Sequence, residues 1–115
     1  MYGSRAEQTT LETLLEQFDV RNEDKVHQYL RQYPFLLSLI HEAQAQIARL
    51  FDPERKAALE VSTDPSDGSS QLYLVIPTRL KAEEAYARLE RLDEEWWLEA
   101  SERAQFHLNV IPEFI

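Results

Sequence analysis

Through the first half of the chain the apolar residues recur every three or four positions. From residue 58 the spacing falls to two, returns to the helical repeat, and falls to two again near the end. Leu11, Leu14, Leu15 and Phe18 form one stripe, and Thr9 with Glu12 supplies a capping-box start for that helix. Residues 19–22 break the stripe. Asn22 is an N-cap for a second helix, with Glu23 and Asp24 at its positive dipole end and Val26, Tyr29, Leu30 and Tyr33 on its apolar face. Pro34 ends that helix and opens a third. The third helix is apolar on more than one side at its start, through Phe35, Leu36, Leu37, Leu39 and Ile40, which makes it central. Asp52-Pro53 closes it.

Residues 58–63 and 71–76 read as two strands around a turn, Asp64-Pro65-Ser66-Asp67-Gly68, whose residue types suit a hairpin with a longer loop. Pro77-Thr78 begins a connection. Helical spacing resumes near Lys81 through Ala82, Ala85, Tyr86, Leu89 and Leu92, with a bend expected at Asp93. In the last strand, 105–111, Phe106, Leu108 and Val110 alternate with His107, Asn109 and Ile111, and Pro112 ends it.

The expected fold is therefore α+β in a single domain over 1–115, with 1–8 as a disordered leader. Three helices precede a β-β-α-β unit. Its small sheet is mostly antiparallel and three-stranded, with the last strand beside the first in the order 2-1-3. A parallel pairing of the last strand with the second is the alternative.

Composition narrows the chemistry. The 115 residues carry 12 basic and 21 acidic side chains, a formal charge of −9. That balance argues against direct contact with nucleic acid or an anionic membrane and permits a basic protein partner or a homodimer. There is no cysteine, so disulfides, thiolate catalysis and Cys-based zinc sites are excluded. That absence, with no membrane-spanning run and no signal-peptide core, fits the cytoplasm. Gly3 and Gly68 are the only glycines, too few for a phosphate loop or a dinucleotide fingerprint. His27, His41 and His107 show no paired-ligand spacing, and no serine sits in a nucleophile elbow. No cofactor is implied.

Two constellations remain. Glu60 on the first strand, Asp64 four residues on at its end, and Asp67 in the following loop offer three carboxylates to a hard divalent ion, although turn chemistry already explains the loop acids. Asp93, Glu94, Glu95, Trp96 and Trp97 place two adjacent indoles on a helix, about 100° apart, beside three carboxylates. One ring can enter the core while the other lies near the surface as an anchor for a partner, although the plainer reading, that both pack against the sheet and the third helix, is preferred. Over 81–103 eight acids face four bases, a net of −4.

Tyr29-Leu30, Tyr33-Pro34, Glu60-Val61, Asp64-Pro65, residues 72–76 and residues 92–97 together resemble a family of small uncharacterised acidic bacterial proteins, over about residues 22–114. The resemblance brings no catalytic residue. In size and charge such proteins are similar to one member of a two-gene toxin–antitoxin pair. The expectation is a non-catalytic interaction or regulatory protein, antitoxin-like, that docks a basic partner. The alternatives are a divalent-metal-dependent enzyme using the hairpin carboxylates, and an acidic mimic of nucleic acid.

Overall fold

A computed structural model describes residues 11–51 and 56–115. Among the described residues helix α1 covers 11–16, and together with the turn after it delivers Leu14, Leu15 and Phe18 to the core. Thr9 and the leader lie outside the described residues, as does Asp52-Pro53. Strand β1 (Asp19–Arg21) follows, then α2 (Glu23–Gln32), α3 (Leu36–Phe51), β2 (Ala58–Thr63), β3 (Ser70–Thr78), α4 (Ala82–Leu92), a π-helical turn (Asp93–Trp97), α5 (Leu98–Ala104) and β4 (Leu108–Phe114).

The α+β class holds, but the sheet differs from the expected one. Among the described residues it has four strands in the order β1-β2-β3-β4, with β1 parallel to β2, β2 antiparallel to β3, and β3 parallel to β4. Residues 19–21 pair with Ala58, Leu59 and Glu60, and the Asp19 N–H donates to the Ala57 carbonyl at 2.8 Å. Three residues are too few to display an alternating pattern, so this strand looks like a helix break in the sequence. Its presence decides the topology. Once β1 occupies one side of β2 and β3 the other, no edge of β2 is left for the last strand, which joins the outer edge of β3. Order 2-1-3 is therefore replaced, and β4 pairs parallel with β3. Each parallel ladder is closed by a helical crossover, α2–α3 in one half and α4–α5 in the other.

Two prolines lie inside strands that were expected to end at them. The β2–β3 ladder begins at Ala58 opposite Val75, so Pro77 lies past its end, where no N–H is required. In β4 the Ile115 N–H reaches the Thr78 carbonyl at 3.0 Å. By alternation Pro112 turns the position of its missing N–H toward the free edge. The proline costs no ladder bond there and blunts that edge against pairing with another strand.

Register sorts the sheet into two faces. Leu59, Leu72, Leu74, Ile76 and Leu108, each 3% exposed or less, join one core cluster with the buried faces of the helices. Each such side chain contributes about 1.5–3 kcal/mol by leaving water. Helix α3 is central, as its breadth of apolar positions implies, and buries Leu36, Leu39, Ile40, Ala43 and Ile47. On the other face stand Arg21, Glu60, Tyr73 and Asn109 in register. There the Arg21 guanidinium donates to both oxygens of Glu113, at 2.9 and 2.7 Å, and so ties one edge strand to the other.

Candidate docking surface

The acidic tryptophan segment is the sequence's most conspicuous feature, and its local geometry sets where each side chain points. Residues 93–97 form a π-helical turn, and the Leu98 N–H bonds the Asp93 carbonyl five residues back. The wider turn separates consecutive side chains by less than the 100° of an α-helix. Trp96 enters the core at 7% exposure, and Trp97 lies half-buried against it, ring centroids 5.4 Å apart. The inner row continues through Ala100 and Ala104, both buried. Both indoles pack inward, in line with the plainer reading of the sequence, and neither is a free anchor.

Glu42 on α3 holds this row in place. Its Oε1 accepts the Trp96 indole N–H at 3.2 Å, and its two oxygens accept both Arg103 amino groups at 2.9 Å. The arginine's hydrogen bonds lower the Glu42 carboxyl to about 2, against the opposing effect of burial. The buried indole donor is thus satisfied by a carboxylate whose charge is matched from α5.

The three acids of the turn have different partners. Glu95 is engaged within the molecule, at 3.2 Å from Arg49 and 3.3 Å from Arg91. Asp93 and Glu94 are exposed, and neither has an ion pair among the described residues. The Asp93 carboxyl is raised above its ordinary value by desolvation and then by the charge of Glu90. Crowded carboxylates of this kind repel one another until a cation arrives.

The outer row of the same helix is built around a residue that the sequence reading passed over. Leu98 is 64% exposed, with Glu94 four residues before it and Glu102 four residues after. Its signal was available: Leu98 is out of phase with the buried row Leu92, Trp96, Ala100, Ala104. Past the helix end, Gln105 and Phe106 have φ of 52° and 67°, and the His107 N–H donates to the Ala104 carbonyl at 2.9 Å. Two left-handed residues inside such a bond define a type I′ turn, which favours Asn-Gly. Phe106 at its apex is 91% exposed. The expected strand over 105–111 therefore starts late and runs later, with Leu108 and Val110 inward as expected but Phe106 outside it.

Aromatic side chains fix the base of this turn. The His107 ring stacks on Tyr33 at 3.9 Å, Phe35 meets both edge-on, and the Tyr29 hydroxyl donates to the His107 carbonyl at 2.9 Å. Phe35 was expected in α3 but precedes it and is 39% exposed. Asn22 precedes α2 as expected, yet in left-handed geometry and with no side-chain capping bond.

The hairpin carboxylates serve the turn. Asp64 Oδ1 accepts the Ser66 N–H at 2.8 Å and its hydroxyl at 2.7 Å, and Asp67 Oδ1 accepts the Ser69 N–H at 2.9 Å. These bonds lower both carboxyls. Glu60 instead lies on the open sheet face beside Arg21 and Tyr73. Among the described residues no three His, Asp or Glu side chains are grouped to hold a metal ion.

An open cleft of about 470 Å³ along β1 is lined by Glu12, Glu16, Asp19, Glu23, His27 and Lys56 among others, and is acidic on balance. The Lys56 ammonium there donates to the Glu16 carbonyl at 2.8 Å. No helix among the described residues is long and apolar enough to cross a membrane. No family model, curated protein or solved structure matches the chain.

Proposed function

We propose that this protein is a non-catalytic interaction or regulatory subunit, antitoxin-like in kind. It docks a basic protein partner through the outer row of the α4–α5 segment. The supporting observation is Leu98, 64% exposed between Glu94 and Glu102, with Glu90 and Asp93 nearby and no ion pair among the described residues for any of the four acids. An apolar side chain inside a rim of unneutralised carboxylates suits a surface with an apolar dimple and surrounding lysine or arginine. The acids steer the encounter and the leucine contributes desolvation. Trp96 and Glu95, both named from the sequence, are engaged within the chain, one in the core and one with Arg49 and Arg91, and do not form it.

The test is co-purification from the native host at about 0.1 M and about 1 M salt, where the screening length falls from about 10 to about 3 Å. Retention by the wild type at low salt should be lost with Leu98→Ser and with the pair Glu90→Lys and Glu94→Lys. Recovery of the same partner by all three proteins, at both salts, contradicts the proposal.

A further inference from the structure

We infer that the aromatic knob at the α5–β4 turn is a self-association surface whose occupant is a second copy of this chain. Two independent features single out the knob. Phe106 exposes 91% of its surface, and no aromatic ring among the described residues packs against it. Its backbone is also held at φ 67°, directly after Gln105 at 52°, a conformation that disfavours bulky side chains and is relieved by Asn-Gly. Exposure and backbone strain both oppose a phenylalanine here, and at 91% exposure little contact among the described residues offsets them.

The surroundings are self-complementary. Beside the projecting ring lies a platform, Tyr33 stacked on His107 at 3.9 Å with Phe35 edge-on and 39% exposed. An isologous pair uses one patch twice, so the knob of each copy meets the platform of the other. The rim fits as well. The Tyr33–His107 stack brings the last turn of α2 to the end of α5, and these turns carry exposed Arg31 and Glu102. Neither has an ion pair among the described residues, and a two-fold axis sets each against its opposite.

Area sets the strength. An aromatic side chain covers about 150–250 Å², so two knobs and two platforms bury less than the roughly 1,200 Å² of a standard specific interface. The pair is weak, and the −9 charge on each copy opposes it further. Salt screens that repulsion, which outweighs the roughly 0–1 kcal/mol of each exposed rim pair, so association strengthens as salt rises. Docking of a basic partner by the acidic row has the reverse salt dependence, which keeps the two proposals separable.

The experiment is analytical ultracentrifugation of the full chain from about 10 μM to about 1 mM, at about 0.1 and about 1 M salt. The expected result is an average mass that rises with concentration, and rises more at the higher salt. Phe106→Ser should weaken association at least about tenfold with its circular dichroism unchanged. The double variant Gln105→Asn with Phe106→Gly should lose association while its Tm rises by a few degrees, since the turn is relaxed. A wild type that stays monomeric throughout, or association that weakens with salt or survives both variants, overturns the inference.

Discussion

Trp96 and Phe106 lie ten residues apart and meet opposite fates. Trp96 sits among acids in the least ordinary stretch of the sequence, yet it is core, with its N–H answered by Glu42. Phe106 sits in an ordinary alternating run, yet it stands almost wholly in water on a strained turn. The difference teaches that an unusual composition can be an internal arrangement, here a π-helical turn that fits two indoles against one core. A commonplace pattern can likewise hide the exposed group.

The widest separation should appear in stability. Trp96→Ala removes a buried indole and leaves Glu42 without that donor, so it should cost about 3–5 kcal/mol in urea unfolding. Phe106→Ala should change the same unfolding free energy by less than about 0.5 kcal/mol. A Phe106 cost near that of Trp96 would break the contrast.

A smaller effect concerns what holds the knob's base. Tyr29→Phe deletes the hydroxyl that donates to the His107 carbonyl and should cost about 1–2 kcal/mol. It should also speed amide exchange at His107, the donor of the turn's closing bond.

The support beneath Trp96 should depend on pH. The Glu42 carboxyl, ordinarily near 4.5, is lowered to about 2 in the fold. A depressed acid stabilises the native state above its unfolded value and loses that contribution as pH falls through the folded one. Unfolding free energy should therefore decline between about pH 5 and pH 2 in the wild type and less in Glu42→Gln. With the Glu42 side chain 38% exposed, solvent screening keeps its share to about 1 kcal/mol. Glu113, lowered by Arg21, adds a decline of the same sign.

The smallest effect separates neighbouring acids. Glu95→Lys sets a cation against Arg49 and Arg91 and should cost about 0.5–1 kcal/mol, while Glu94→Lys should be near neutral. In partner capture the order should reverse, with Glu94 the more damaging.

Much of the fold was legible because long amphipathic helices and a six-residue strand repeat their pattern often enough to be read. The first two helices and the central third helix follow from spacing, and the hairpin from spacing with its turn residues, whereas the bend expected at Asp93 is instead a π-helical turn within a continuous helical run. Strand β1 was not legible, because three residues cannot show a period, and with it went the sheet order. Pro77 and Pro112 misled because their effect depends on which side of a strand carries the ladder bond, which spacing does not encode. Leu98 was legible in principle as a leucine out of phase with its helix. Phe106 was not, since the turn that exposes it uses Gln-Phe where Asn-Gly would have signalled it.

The most direct measurement is hydroxyl-radical footprinting of the chain, free and in complex with its captured partner. The account predicts fast labelling of Leu98 and Phe106 and slow labelling of Trp96 in the free protein, with Leu98 protected on binding. Rapid labelling of Trp96, or a complex in which Leu98 labels as fast as before, would contradict it.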